Sequence, residues 1–143
     1  MFSFNNQTAQ RTPVTNPGVF NSRLKRISHK FDDRDDSECV LFTFDIEKDN
    51  VFYYKIKFRE SDSNQSLKTK YKIILNLVSF LGEREVKKIM DEAKSPSELA
   101  SQLEMLRGKS PNGFSWRKIN LVENLYNGNK YITIDALNPP YYM

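Results

Sequence analysis

The chain has 143 residues, of which 38% are hydrophobic, and carries 22 Lys and Arg against 18 Asp and Glu, for a formal net charge of +4. This length favours one domain with its own core, and the modest charge excludes a histone-like polycation, so a polyanion site requires local clustering of cations. The single cysteine, Cys39, and the single histidine, His29, exclude an internal disulfide and argue against thiolate zinc sites and histidine-based catalysis.

The sequence gives no sign of a membrane segment. No apolar run approaches the roughly 20 residues that a membrane helix needs. The N-terminal residues lack the basic-then-apolar order of a signal peptide. We therefore expect no membrane association and a reducing, cytoplasmic setting.

The N-terminal residues 1–16 differ in composition from the rest. They are rich in Asn, Gln and Thr and contain one charged side chain, which is typical of a flexible arm. Phe2 and Phe4 are candidates for docking on a neighbouring copy of the chain, so we expect self-association through this arm. Residues 17–143 are predicted to form a single domain.

The first predicted strand starts at Val19, after a Pro-Gly turn. Its apolar positions change parity between Leu24 and Ile27. Because alternate residues of a strand face opposite sides, this slip predicts a bulge near Lys25 or Arg26, which lets a long strand bend.

A hairpin of strong β-propensity follows. Its strands are predicted at 38–46 and 51–59, joined by the turn 47–50. Alternation places one apolar set on the inner face, namely Val40, Phe42, Phe44, Ile46, Phe52, Tyr54, Ile56 and Phe58.

The period then changes to that of helices. Apolar spacings of three and four predict helices at 65–81 and 83–93. The capping box Ser95–Glu98, with proline at the first helical position, starts a third helix that should end at Gly108. These make a helical insert over about 63–107. Alternation returns at 114–125 and 131–137, around the turn 126–129.

The predicted order is β-β-β-α(α,α)-β-β. The chain is therefore expected to be mainly β with a helical insert (α+β), arranged as a five-stranded OB-like barrel whose bent first strand serves both halves. Several other small α+β folds share five strands and some helix.

The outer face of the hairpin suggests a function. Tyr53, Lys55, Lys57 and Arg59 alternate with the apolar set, and the first strand carries a second basic stripe. A solvated face on which lysines discourage edge pairing is one interpretation. Because the two stripes would lie side by side, we favour a nucleic-acid track in which cations neutralise phosphates and the aromatic ring stacks on a base.

Trp116 is harder to assign. A lone tryptophan is more often core, and Phe114 at the same parity supports that interpretation. Its basic neighbours favour a binding role, and Tyr131 should be exposed on the last strand. The candidate nucleic-acid-binding residues are Arg23, Lys25, Arg26, Tyr53, Lys55, Lys57, Arg59, Trp116, Lys118 and Tyr131.

Catalysis and metal binding have weak support. The acidic loop at 31–38 does not match a calcium loop. Such a run is usually just solvated, and its more specific role would be to repel nucleic acid from one edge. Asp45, Glu60 and Lys55 could serve a metal-dependent nuclease, but no compact motif connects them. No glycine-rich phosphate loop occurs. We expect no cofactor, no metal and no enzymatic activity.

The sequence resembles the OB-fold single-stranded-DNA-binding proteins of tailed bacteriophages. The similarity lies in PGVFNSRLKRI (17–27), in ECVLFTFDIEKDNVFYYKIKF (38–58), in LRGK (106–109) and in LVENLYNGNKYITIDALNP (121–139). One departure is the end NPPYYM, where many such proteins carry an acidic tail that recruits partners.

The resemblance implies cooperative, sequence-tolerant coating of single-stranded DNA in phage replication or recombination. The setting would be the host cytoplasm, with replication or recombination proteins as further partners. The alternatives are a virion or interaction protein with a β-barrel scaffold and, third, a metal-dependent nuclease. The sequence leaves the choice between DNA and RNA open.

Overall fold

The computed structural model describes residues 11–135. Its strands are β1 (Thr12–Pro13), β2 (Gly18–Asp32), β3 (Ser37–Ile46), β4 (Asn50–Phe58), β5 (Arg117–Tyr126) and β6 (Asn129–Ile134). The helices lie between β4 and β5. They are α1 (Asn64–Val78), a 3-10 turn (Ser79–Leu81), α2 (Glu83–Glu92) and α3 (Pro96–Lys109).

The six strands form one curled, half-barrel sheet in the order β1-β4-β3-β2-β5-β6. The long strand β2 is central because its two parts have different neighbours. Residues 18–22 pair with β5, and residues 22–32 pair with β3, both antiparallel. The mainly β, α+β character expected from the sequence is confirmed.

The bulge in β2 lies where the alternation predicts it. The register with β3 shifts between Leu24 and Arg26, which makes Lys25 the extra residue. Leu24 and Ile27 are therefore both buried although they are three positions apart. Just after the bulge, the Ile27 N–H donates to Glu104 Oε1 of α3 at 2.8 Å.

The core lies between the concave face of the sheet and the helices. The inward residues of β3 are almost completely buried, and Phe52 and Ile56 of β4 join them, as predicted. Helix α3 packs against β2 and β3. The predicted cap at its start is confirmed, since Ser95 Oγ accepts from the Glu98 N–H at 3.1 Å and Pro96 occupies the first turn.

Several boundaries differ from the sequence prediction. A sixth strand, β1, pairs in parallel with Asn50 and Val51, within the segment 1–16 predicted as an arm. Residues 1–10, with Phe2 and Phe4, lie outside the described residues, as do positions 136 and 137 of the last predicted strand. Helix α3 continues one residue past Gly108, and β5 starts at Arg117 instead of 114.

The helices of the described chain are short for a membrane. Between residues 11 and 135, none has both the length and the apolar character that a bilayer-spanning helix needs.

Candidate nucleic-acid interface

The convex face of the sheet brings together residues from three neighbouring strands. In one row across the sheet, Arg26 of β2, Thr43 of β3 and Tyr53 of β4 are register partners. In a second row, Arg23 lies opposite Asp45. Tyr53 is 54% exposed, because its side chain lies on the opposite face of β4 from those of Phe52 and Tyr54. We call this surface the basic face, defined by Arg23, Lys25, Arg26, Thr43, Asp45, Tyr53 and Lys55.

Three cations of the basic face are open to a ligand. Lys25, Arg26 and Lys55 are all exposed. Within residues 11–135 none of the three forms an ion pair or a side-chain hydrogen bond. The bulge contributes to this arrangement, because the extra residue turns both Lys25 and Arg26 outward. An anionic ligand would meet three cations that have no competing carboxylate in hydrogen-bonding contact.

Arg23 connects the basic face to Trp116. Its NH2 group bonds Asp45 Oδ2 at 2.9 Å, and its Cζ lies 4.9 Å from the centre of the Trp116 ring. Trp116 is 51% exposed, and Phe114 is also largely exposed. The core interpretation of these two aromatics is therefore wrong. Both precede β5, so the strand alternation that suggested burial does not apply to them.

A cleft of about 470 Å³ lies in the middle of the basic face. Its walls include Arg11, Lys25, Arg26 and Tyr53, and its floor includes Thr43 and Asp45. Arg11 NH1 is 3.4 Å from Asp45 Oδ1, but its hydrogen bond goes to the Asn50 carbonyl at 3.1 Å. Sequence reasoning missed Arg11 and Thr43, because neither belongs to a charged or aromatic stripe.

The turn between β2 and β3 holds the two remaining cations of β4. Asp35 Oδ2 lies 3.1 Å from Lys57 Nζ and 3.2 Å from an Arg59 nitrogen, and Asp32 Oδ2 lies 3.5 Å from Lys57 Nζ. We call Asp32 and Asp35 the acidic turn. Sequence reasoning placed Lys57 and Arg59 in one track with Lys55, and the fold instead joins them to these carboxylates.

The acidic turn stays ionised at any ordinary pH. Hydrogen bonds from Arg34 hold the pKa of Asp32 well below its usual range. The Ser37 hydroxyl, followed by Lys57 and Arg59, lowers the pKa of Asp35 to about 2. Because these folded-state pKa values are depressed, the ion pairs stabilise the fold above about pH 4 and are lost as the pH falls through about 2.

The last two predicted residues lie apart from the cleft. Lys118 is exposed on β5 opposite Asn21. Tyr131 is largely exposed on β6 and lies near Tyr54. Burial raises the pKa of Tyr54, and the neighbouring Tyr131 and Asp135 raise it further. Three strands lie between β4 and β6 in the sheet, so Tyr131 is not a strand neighbour of Tyr53.

The residues of the nuclease hypothesis do not converge. Asp45 is held by ion pairs with Arg11 and Arg23 at one end of the hairpin. Glu60 follows the other end of β4. At 3.3 Å per residue, the length of the strand separates Glu60 from Asp45 by about 23 Å or more. Within residues 11–135, no group of three His, Cys, Asp or Glu side chains is placed to hold a metal ion.

No protein-family model matches the chain, and no curated protein matches it.

Proposed function

We propose that the chain binds and protects single-stranded DNA without sequence readout, through the basic face, in phage replication or recombination. The observation that carries this proposal is the arrangement of two exposed rings, Tyr53 and Trp116, on either side of Lys25 and Arg26. Cations supply affinity for phosphates, and rings stack on any unpaired base at roughly 1–3 kcal/mol each.

The spacing of the two rings suits a strand that crosses the sheet. Trp116 immediately precedes β5 and Tyr53 lies on β4, with β2 and β3 between these two strands. Three strand spacings of about 4.8 Å separate these positions by about 14 Å. A short run of nucleotides could stack on both rings while its phosphates follow the cations between them.

The strand order supports an OB-like barrel as the scaffold. The central strand β2 is bent by a bulge and pairs with β3 and β5, so it serves both halves of the sheet. In OB barrels the strand 2–3 face binds oligonucleotides, and the corresponding strands here are β3 and β4.

Single substitutions on β4 test this proposal. We expect Lys55→Ala to weaken binding for all sequences and to reduce the slope of log affinity against log salt by about 0.7, because one phosphate contact is lost. Tyr53→Ala should cost roughly 1–3 kcal/mol of binding free energy and leave the slope unchanged, since stacking releases few counterions. Titrations of a labelled oligonucleotide at several salt concentrations measure both quantities.

Lys57→Ala is the matched control for Lys55→Ala. Both are lysines on the same side of β4, but Lys57 is already paired with the acidic turn. Its removal should change the salt slope less than removal of Lys55. If the slope of log affinity against log salt is the same for the unmodified protein and for the Tyr53→Ala, Lys55→Ala and Lys57→Ala variants, the nucleic acid binds at another surface of the protein.

A second prediction concerns the acidic turn. Asp35→Asn should strengthen binding of single-stranded DNA and steepen its salt dependence, because Lys57 and Arg59 both lose a carboxylate within 3.2 Å. Asp49→Asn is the control, since it removes a carboxylate from the turn between β3 and β4, at the other end of β3. If Asp35→Asn and Asp49→Asn change the affinity equally, the gain is a general effect of net charge.

A structural or interaction protein, such as a virion component, is the second candidate. The end of β5 carries Leu125 and Tyr126, the most exposed of the large hydrophobic side chains in the described chain. Such side chains suit contact with another protein. This candidate would be preferred if neither Tyr53→Ala nor Lys55→Ala affected binding of single-stranded DNA.

A further inference from the structure

The floor of the cleft in the basic face contains two buried polar atoms that make no hydrogen bond within the described residues, although Arg11 NH1 forms an ion pair with one of them, Asp45 Oδ1, at 3.4 Å. Asp45 is 1% exposed and Thr43 is 3% exposed. Within the described residues, neither Asp45 Oδ1 nor Thr43 Oγ1 makes a hydrogen bond. The other carboxylate oxygen of Asp45 is satisfied by Arg23. Because buried polar groups nearly always have a hydrogen-bond partner, two such atoms on the same side of β3 in one cleft indicate a ligand that supplies the missing hydrogen bonds.

The chemistry of these atoms limits the ligand. A carboxylate oxygen only accepts, so the ligand must present a donor to Asp45 Oδ1. The Thr43 hydroxyl can donate, so the ligand can present an acceptor to Thr43. A phosphate fails the first condition, because it would bring negative charge against Asp45. Phosphates belong with Lys25 and Arg26 on the rim, and a different part of the ligand enters the cleft.

Building on the proposed function, we infer that the cleft is a subsite for one nucleobase whose Watson–Crick edge carries an amino group next to a ring-nitrogen acceptor, namely cytosine or adenine. The amino group donates to Asp45 Oδ1, and the ring nitrogen accepts from the Thr43 hydroxyl. Tyr53, which forms one wall, stacks on the base. The Arg11 side chain, whose NH1 lies 3.4 Å from Oδ1, swings aside to admit the amino group.

Thymine fits this floor less well. Its ring N–H is flanked by two carbonyl oxygens, so an approach to Asp45 brings a carbonyl dipole toward the carboxylate. Its exocyclic groups on that edge are acceptors only, as its edge pattern in duplex DNA also shows. The subsite therefore adds a modest base preference to binding that otherwise depends on phosphates and stacking.

The test compares the affinity for oligo(dC) and oligo(dT) of equal length, at one salt concentration and at slightly alkaline pH where cytosine is unprotonated. The unmodified protein should bind oligo(dC) about five- to tenfold more tightly, the lower end of what one paired base contact provides. Thr43→Val, which keeps the shape of the side chain, should bring the two affinities to within about twofold, since it removes one of the two contacts.

Two further measurements complete the test. Lys55→Ala should weaken binding of both oligonucleotides and preserve their ratio. Thr43→Val should not lower the melting temperature, because the hydroxyl that it removes has no partner in the described chain. Equal affinity of the unmodified protein for both oligonucleotides, or an undiminished ratio in Thr43→Val, overturns the subsite and leaves the proposed function standing. Failure to bind either oligonucleotide overturns both.

Discussion

Replacing Phe52 with alanine is expected to lower the free energy of unfolding by about 3–5 kcal/mol, the usual cost of truncating a buried aromatic side chain. Phe52 is buried in the core cluster, and its ring centre lies 6.2 Å from that of Phe44. Truncation leaves a cavity that the sheet and the helices can only partly close. Denaturant titration of the variant and the unmodified protein measures the difference.

The neighbouring residue gives the control. Tyr53 is exposed on the opposite side of the same strand, so Tyr53→Ala should change the free energy of unfolding by less than about 1 kcal/mol. The pair tests the register of β4 directly. If Tyr53→Ala unfolds the protein and Phe52→Ala does not, then Tyr53 faces the core and Phe52 faces solvent, which contradicts this register.

Replacing Glu104 with alanine is expected to cost about 2–4 kcal/mol of unfolding free energy, because it removes the partner of two buried groups. The carboxylate accepts from Arg107 Nε at 2.8 Å and from its NH2 at 2.6 Å, and it also accepts from the Ile27 N–H of the bulge. Arg107 is buried and its NH1 already lacks a partner within the described chain. Without Glu104 its charge would be uncompensated.

Two other carboxylate variants should lose less unfolding free energy than Glu104→Ala. Glu104→Gln keeps an oxygen for the Ile27 N–H and should cost less than Glu104→Ala. Glu123→Gln removes an exposed carboxylate that lies 3.9 Å from Lys130 and should change the free energy by less than about 0.5 kcal/mol. Equal stability of Glu104→Ala and Glu123→Gln in denaturant titrations would show that the bulge does not depend on α3.

Much of the sheet could be predicted because its signals are local. The alternation in β3 and β4 predicts which apolar residues face the core, and the parity change between Leu24 and Ile27 locates the bulge to within one residue. The cap at Ser95 is likewise encoded by four consecutive residues. In each case the structure depends on neighbours in sequence, which periodicity and capping rules describe.

The rest depends on contacts between distant residues. β1 has only two residues, too few for a period, and it exists because Asn50 and Val51 offer a free edge. Lys57 and Lys55 look alike in the sequence, but only Lys57 lies within reach of Asp35 once the hairpin folds. The floor of the cleft could not be predicted either. Thr43 carries no charge or ring, and its unpaired hydroxyl is evident only from its surroundings.

The most direct test of the proposed function is the affinity of the unmodified protein for one labelled oligonucleotide, single-stranded and annealed to its complement, at matched salt. We expect tighter binding of the single strand by about tenfold or more, because pairing hides the base faces that Tyr53 and Trp116 would stack on, at roughly 1–3 kcal/mol each. Equal affinity for the two forms would contradict single-strand binding by this face.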